Sequence, residues 1–217
     1  GMILSAHQPA YLPWLGYFEK IARSDVFVYL DSVQFEKNSF INRNKIKASH
    51  GSLWLTIPVK TKGHTQASLR STEIDDGQAW RNKHLKSIEM NYRKAPGFNE
   101  CYPKLQQLIN IPESNLAEYC FQQLLFWCDE LGIATKIIRS STLPIVSAKS
   151  DLVLDLCKYF CADHYLSGAL GGNYLIEGDF DKVGVKIEYQ AYQSPVYSQL
   201  WGDFVPNLAI VDAWMNK

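Results

Sequence analysis

The densest group of reactive side chains lies in the stretch SAHQPAYLPWLGYFEK, residues 5–20. An imidazole, an amide, two phenols, an indole and an ammonium occur there, and the candidate site residues are His7, Gln8, Tyr11, Trp14, Tyr17 and Lys20. His7 is the candidate catalytic acid or base, since an unperturbed imidazole titrates near neutrality. Tyr11 and Trp14 are suited to stacking on a base or sugar, and Lys20 to holding phosphate. The alternative is an aromatic-rich core loop with a hydrogen-bonded histidine.

A second polar stretch, DSVQFEKNSFINRN, covers residues 31–44. Its candidates are a catalytic carboxylate and a set of substrate-binding amides and cations: Asp31, Gln34, Lys37, Asn42, Arg43 and Asn44. A carboxylate can orient a cation or a hydroxyl, arginine binds phosphate in bidentate fashion, and amides suit sugar hydroxyls. The alternative is a solvated loop with asparagines in turns.

A glycine-rich loop, YLSGALGGNY (165–174), supplies a third set of substrate-binding candidates, Ser167, Gly168, Gly171 and Tyr174. Backbone N–H groups in such a loop can approach a phosphate. The loop does not match GxGxxG, and no GxxxxGK[ST] motif occurs in the chain. A plain turn therefore remains an alternative.

The remaining histidines are weaker candidates than His7 for the catalytic acid or base. His50 and His64 fall in expected turns, and His84 lies on an expected helix beside Trp80. No Ser-His-Asp or Cys-His set is indicated by spacing.

The elements that must position these residues begin with a βαβ unit. Residues 2–6 and 25–30 are predicted as strands, and 14–23 has helical apolar spacing. Such strands are expected to be adjacent and parallel. Ligands of open α/β sheets bind at the carboxyl ends of strands, where both polar stretches begin. We therefore expect the first two stretches to converge on one pocket, with the glycine loop closing a third side.

The rest of the chain predicts a layered α/β fold. A hairpin is expected at 45–49 and 53–59, helices at 78–92, 98–110, 115–131, 151–161 and 205–216, and further strands at 69–74, 134–139, 164–167, 173–176 and 184–190. Ser114 and Ser150 are expected N-caps, and Gly132 a helix end. The predicted class is α/β, with a Rossmann-like layered core of parallel strands, an N-terminal hairpin excursion and a helical insertion at about 78–132, all in a single domain, 2–217.

Composition restricts the function classes. Lys+Arg and Asp+Glu number 22 each, so no basic surplus favours nucleic-acid binding. Gly1 before Met2 resembles a tag remnant. We expect no signal peptide, no membrane span and a cytoplasmic location. The five cysteines are expected to be reduced and no metal is expected. Cys157 and Cys161, with His164 nearby, have an i, i+4 spacing that is feasible for two ligands on a helix, but both are also expected on the apolar stripe of that helix.

The same stretches resemble the WbqC-like family. The resemblance rests on HQPAYLPWLGYFEKI (7–21), DVFVYLDSVQFEKNSFINRNKI (25–46), WLTIPV (54–59), HLKSIEMNYRKAP (84–96), YLSGALGGNYL (165–175) and LAIVDAWMN (208–216). The residues matching the family's motif core are His7, Gln8, Pro9, Tyr11, Pro13, Gly16, Tyr17, Lys20, Asp31, Gln34, Asn42, Arg43 and Asn44. One departure is Phe40-Ile41, where the family pattern leads us to expect a more polar pair.

The family is named for a gene of O-antigen clusters, and this implies a role in cell-surface polysaccharide synthesis. LPWLGYF and Ser140-Ser141-Thr142 are distantly similar to the HxGH and SST loops of nucleotidyltransferases, which implies a HUP-like core. Both histidines of HxGH are missing, so ordinary nucleotidyl transfer is not implied.

The resulting hypothesis is a transferase, acyl or aminoacyl, that acts on a nucleotide-linked amino-sugar. The alternative is a non-catalytic nucleotide- or sugar-binding protein of an assembly pathway. The cofactor is unknown, the partner is a small-molecule substrate, and a homo-oligomer stays open.

Overall fold

The computed structural model describes residues 1–60 and 68–217, so His64 lies outside the described residues. The helices and strands follow in the order β1 Ile3–His7, α1 Leu15–Ala22, β2 Val26–Tyr29, β3 Arg43–Ala48, β4 Gly51–Thr56, α2 Trp80–Tyr92, α3 Phe98–Ile109, α4 Leu116–Glu130, β5 Lys136–Arg139, α5 Lys149–Tyr159, β6 His164–Ser167, α6 Glu177–Asp181, β7 Lys186–Tyr189 and α7 Ile210–Met215.

The described chain divides into two compact units. The first, the sheet unit, comprises residues 1–8, 16–33 and 128–193, and the second, the hairpin unit, comprises 9–15, 34–127 and 194–217. The prediction of a single domain over 2–217 stays a prediction. Among the described residues, no helix has the length and apolarity needed to cross a bilayer.

The sheet unit is built on five parallel strands in the order β5-β2-β1-β6-β7. Counting the sheet's own strands along the chain, this is the order 3-2-1-4-5 of Rossmann-type folds. The central strands are apolar because parallel strands are covered on both faces. Leu4 of β1 and Val28 of β2 pack with Leu156 of α5 and Phe180 of α6, all fully buried.

The predicted βαβ unit is confirmed. β1 and β2 pair in parallel from Leu4 with Val26 to His7 with Tyr29, and α1 connects them. The Rossmann-like class is therefore supported at the level of a parallel α/β sheet with helices. The finer HUP-like assignment stays a prediction.

The hairpin unit contains the predicted hairpin and the predicted three-helix insertion. β3 and β4 pair antiparallel from Arg43 with Thr56 to Ala48 with Gly51. The helices α2, α3 and α4 follow close to their expected bounds. Trp127 of α4 and Trp214 of α7 pack edge to face with ring centroids 4.9 Å apart, so the C-terminal helix belongs to this core.

Some local predictions are wrong. Residues 69–74 form a short 3-10 turn at Leu69–Ser71 and isolated bridges instead of a strand, and 173–176 forms no strand, while α6 was not anticipated. α4 is capped by Asn115 and not Ser114, because Asn115 Oδ1 accepts from the Glu118 N–H at 3.0 Å. Ser150 lies inside α5, and its hydroxyl accepts from the Ile176 N–H.

The cysteines are free thiols, and four of them are buried. Cys161 departs from the expectation that it shares the apolar stripe of a helix with Cys157. It follows the end of α5, is exposed and has a φ of 53°. The two residues therefore do not lie on one helical face, and among the described residues no group of three potential ligands is placed to hold a metal.

Candidate functional site

Lys20 and His7 form a close pair at the carboxyl end of β1. The Lys20 Nζ donates to the Ala6 carbonyl at 3.1 Å and to His7 Nδ1 at 2.8 Å. Lys20 reaches this position because α1 packs its Gly16, Tyr17 and Ile21 face inward, and Lys20 shares that face. Only 2% of Lys20 is exposed.

Burial sets the protonation of the pair. It lowers the pKa of Lys20 to about 7, because a desolvated ammonium is unfavourable. Burial, and then the charge of Lys20, holds the pKa of His7 well below its usual value. Near neutral pH His7 is therefore a neutral imidazole whose Nδ1 accepts a hydrogen bond, while Lys20 is poised between amine and ammonium.

Tyr17 and Gln8 fix the histidine's surroundings. The Tyr17 hydroxyl donates to the Gln8 carbonyl at 2.9 Å, and the Tyr17 ring meets the His7 ring edge to face at 4.8 Å. Tyr17 is buried, whereas His7 and Gln8 keep partial exposure. Tyr17 is thus placed to hold the loop after β1, while His7 and Gln8 are the residues that a ligand can reach.

The glycine-rich loop begins at the end of β6, the strand next to β1. Ser167 is buried, and its hydroxyl donates to the Gly168 carbonyl at 2.8 Å. A Cβ on Gly171 would lie 1.8 Å from Ser167 Oγ, so the tight turn at 171 requires glycine. A Cβ on Gly168 would lie 3.7 Å from Lys20 Nζ, which shows that this glycine faces the lysine. Tyr174 is 45% exposed.

The pair and the glycine loop lie on the two sides of the sheet's topological switch point. β1 pairs with β2 on one side and with β6 on the other, and the direction in which successive strands are added to the sheet reverses between β1 and β6. Ligands of such sheets bind in the crevice beyond the carboxyl ends at this point. The fold therefore brings His7, Gln8, Lys20, Ser167 and Gly168 to this switch point, and their role in binding a ligand stays a prediction.

Asp31 is fully engaged with the turn after β5. Its carboxylate accepts from the Ser141 N–H at 2.9 Å, from the Ser141 hydroxyl at 2.6 Å and from the Ser140 hydroxyl at 3.2 Å. The buried carboxylate thus anchors the Ser140–Thr142 turn. Its predicted catalytic role stays a prediction.

A cavity of about 310 Å³ lies at the start of β7. Because the strands are parallel, this is the end of the sheet opposite to His7 and Ser167. It is lined by Glu177, Asp181, Gly184, Val185, Lys186 and Ile187, none of which is a predicted site residue.

In the hairpin unit, Tyr11 belongs to the core. It is fully buried, and its hydroxyl donates to His84 Nδ1 at 2.8 Å. Since the Thr56 carbonyl can only accept, His84 Nε2 carries the hydrogen and donates to it at 3.0 Å. Burial lowers the pKa of His84 to about 4. This arrangement matches the alternative interpretation of Tyr11 as a core residue.

Two of the asparagines are also engaged with backbone. Asn44 donates to the Leu12 carbonyl at 2.8 Å and accepts from the Lys45 N–H, so it holds the left-handed turn at Leu12, whose φ is 46°. Asn42 donates to the Ile57 carbonyl at 2.9 Å, and its Oδ1 has no hydrogen-bond partner.

An aromatic–cation patch lies on the hairpin and the loops beside it; we define it as Trp14, Phe40, Arg43, Lys45 and Trp54. Adjacent rings are 5.4 Å and 5.7 Å apart, and the Arg43 guanidinium lies 4.0 Å from the Trp54 ring centroid. Phe40 and Trp54 are about two-fifths exposed. Arg43 donates to the Asn38 carbonyl, but its Nε has no partner. The patch suits a planar or pyranose ring that carries an anionic group.

The remaining predicted residues lie near this patch in sequence. Gln34 and Lys37 are exposed, and Gln34 forms an isolated bridge with Ser68. The structure thus groups His7, Gln8, Tyr17, Lys20 and the glycine loop in the sheet unit, and Trp14 with Arg43 in the hairpin unit. A single pocket formed by all predicted residues stays a prediction.

Sequence reasoning missed a buried polar network around Asp212. Its carboxylate accepts from the hydroxyls of Tyr92 and Tyr197 and from the Gln199 amide, and Asp212 is 1% exposed. The signal was a lone aspartate inside the apolar run LAIVDAWM (208–215). Lys45 and Trp54 were missed as well, although their cross-strand pairing follows from the hairpin register.

The comparisons with known proteins agree with the motifs. The model of the WbqC-like protein family matches residues 8–217, nearly the whole chain, so the chain belongs to this family. It is also similar to the uncharacterized protein Rv1507c of Mycobacterium tuberculosis (strain ATCC 25618 / H37Rv), with 34% identity over 213 residues that cover 96% of this chain and 91% of that protein. No solved structure matches.

Proposed function

We propose that the protein is a transferase that binds a nucleotide-linked amino-sugar at the switch point of the sheet unit and transfers an acyl or aminoacyl group in O-antigen or other cell-surface polysaccharide biosynthesis. The observation that carries the proposal is the placement of His7, Lys20 and Gly168 at the reversal of strand order. This is the position at which Rossmann-type sheets bind nucleotides.

Membership of the WbqC-like family supports the polysaccharide context, because the family is named for a gene of O-antigen clusters. The balanced net charge supports a small-molecule substrate over nucleic acid. In this proposal the protein acts in the cytoplasm, and its cofactor and oligomeric state are open.

The aromatic–cation patch supplies a second part of the proposal. The Arg43 guanidinium lies over the Trp54 ring, so it is suited to an anionic sugar or phosphate group stacked on the exposed rings. Replacing Arg43 by Ala is expected to weaken binding at least tenfold, or about 1.4 kcal/mol. Lys45→Ala is expected to weaken binding less, because Lys45 Nζ lies farther from the Trp54 ring centroid, at 5.3 Å.

The test is a thermal-shift screen with nucleotides and nucleotide-sugars, followed by calorimetric titration of each hit on the wild type and both variants. A ligand at 100 times its Kd stabilises a protein by about 2.7 kcal/mol, which the screen detects easily. If no nucleotide or nucleotide-sugar raises the melting temperature, the proposal is wrong.

A second candidate function, a non-catalytic binding protein of the same pathway, is favoured by one observation. Asp31, the carboxylate expected to assist His7, accepts three hydrogen bonds from the Ser140–Thr142 turn. Incubation of each ligand with acyl donors separates the two candidates: the transferase modifies the amino-sugar, and the binding protein returns it unchanged.

A further inference from the structure

The contacts of Lys20 differ from those of a lysine buried for structure. Lys47 in the hairpin unit is equally buried, and its ammonium donates to three oxygens, those of Gln199, Gly202 and Asp203. Three acceptors match the three donors of an ammonium. Lys20 Nζ instead has one carbonyl and one imidazole nitrogen, and the described residues give it no carboxylate.

Gly168 presents no side chain to the Lys20 Nζ. Gly168 is partly exposed, and a Cβ built on it would be in ordinary van der Waals contact with Nζ at 3.7 Å. Because Gly168 has no side chain, no side-chain atom of that residue stands between the amine and the glycine-rich loop. The backbone at Gly168 has no positive φ, so glycine is not required there for conformation.

We propose that Lys20 Nζ, and not the His7 ring, is the general base of the transfer, and that His7 is the positioning residue that holds it. This deepens the proposed function and rests on it. The acceptor sugar's amino group enters beside Gly168 as an ammonium and gives one proton to Nζ. The resulting free amine attacks the acyl carbon, the leaving group departs with the bonding electron pair, and the new amide nitrogen gives its surplus proton to water.

The proton that Lys20 takes from the sugar's ammonium stays on Lys20 until the leaving group departs. Lys20 becomes an ammonium whose hydrogen bonds to the Ala6 carbonyl and His7 Nδ1 are retained, and it returns the proton to the leaving group. A base is most effective when its pKa lies near the working pH. Lys20, with a pKa of about 7, meets this condition, whereas the lowered pKa of His7 makes the imidazole a weak base.

The first experiment measures whether Nζ is neutral and reachable. The protein is incubated with pyridoxal 5′-phosphate from pH 6 to 10, reduced with borohydride and mapped by peptide mass. We expect adduct formation at Lys20 with a half-maximal rate near pH 7. Gly168→Ala is expected to slow labelling of Lys20 at least tenfold, while Gly172→Ala, in an open position, leaves it unchanged. Labelling of Lys20 no faster than that of Lys47 overturns the inference.

The second experiment separates a base from a phosphate-binding cation. With a nucleotide-sugar that raises the melting temperature, Lys20→Met is expected to keep that shift and to lose transfer, with kcat falling at least a hundredfold and KM little changed. If Lys20→Met loses the shift and Lys20→Arg keeps it, Lys20 is a phosphate ligand and the inference is wrong. If Lys20 is labelled near pH 7 but no nucleotide-sugar binds, the proposed function fails while the reactive lysine stands.

Discussion

The Lys20 Nζ lies 2.8 Å from the His7 Nδ1, in a contact where burial disfavours the charged forms of both side chains. A lysine and a histidine in hydrogen-bond contact repel each other when both side chains are positively charged. The contact and burial together disfavour the imidazolium form of His7 near neutral pH, and burial lowers the pKa of Lys20 to about 7. This relationship makes the stability of the protein depend on pH in a specific way.

Lys20→Met is expected to stabilise the protein near pH 7 by about 1–3 kcal/mol, since one pKa unit corresponds to about 1.4 kcal/mol. Folded Lys20 has a pKa of about 7, whereas an unfolded lysine keeps its proton to about pH 10.4. Between these values the unfolded state binds more protons, so the wild type gains stability as pH rises. The advantage of the variant is therefore largest at or below pH 7 and shrinks toward pH 10.

Urea unfolding of both proteins at several pH values measures this difference. Lys37→Met, at an exposed position, is the control and is expected to change stability little at any pH. An advantage of Lys20→Met that stays constant across the range would show that the pKa of Lys20 is not lowered.

The turn at Gly171 supports a second prediction. Gly171→Ala is expected to destabilise the protein by about 1–3 kcal/mol, as overpacking does, because its Cβ would lie 1.8 Å from Ser167 Oγ. Gly172→Ala meets only the Tyr189 ring, at 3.8 Å, and is expected to be nearly neutral. Thermal unfolding measures both, and adding Ser167→Ala to Gly171→Ala is expected to recover part of the loss. Equal effects at 171 and 172 would contradict the close approach.

The sequence was sufficient for the parts of the fold that rest on local patterns. Apolar periodicity located β1, α1 and β2, and their short connections made a parallel pair the expected arrangement. The helical period also placed Lys20 on the face of Tyr17 and Ile21. Its burial was nevertheless unexpected, because lysine is almost never fully buried. The 69–74 segment was misjudged because six residues with apolar side chains only at Leu69 and Ile74 are too few to define a period.

The features that the sequence did not predict depend on contacts between residues far apart in the chain. Tyr11 is bound by His84, 73 residues away, and Asp31 by Ser141, 110 residues away. Loop composition shows that such residues are candidates for specific polar contacts. It does not show whether the partner is a ligand or a hydroxyl from a distant part of the chain. The predicted residues of the candidate site were therefore found as a set more readily than their individual roles.

Tyr11 and His84 support a prediction on acid stability. His84 is neutral in the folded protein, with a pKa of about 4, while an unfolded histidine titrates near 6.5. The stability that depends on neutral His84 is present above about pH 6.5 and is lost progressively as pH falls toward 4. Tyr11→Phe removes the bond to Nδ1 and is expected to cost about 1–2 kcal/mol, with nucleotide-sugar affinity unchanged.

The control for this prediction is Tyr17→Phe, which removes a hydroxyl in the sheet unit and leaves His84 untouched. Chemical unfolding between pH 4 and 8 follows stability, and proton NMR follows the His84 ring. A His84 that titrates at about 6.5 in the folded protein, or a Tyr11→Phe variant that loses ligand affinity without losing stability, would show that Tyr11 faces a ligand.

Asp31 gives the sharpest test of whether a predicted catalytic residue is structural. Its carboxylate holds the Ser141 N–H at 2.9 Å and the Ser141 hydroxyl at 2.6 Å. Asp31→Ala leaves both donors unpaired in a partly buried position and is expected to cost about 2–3 kcal/mol. Asp31→Asn keeps one acceptor and is expected to cost less. Ser141→Ala removes the hydroxyl alone, and the double variant is expected to lose less than the sum of the single losses, because the two residues share one bond. If Asp31→Asn instead keeps the free energy of unfolding and the thermal shift by nucleotide-sugars but abolishes transfer, the carboxylate acts in the chemistry and the anchoring of the turn is secondary.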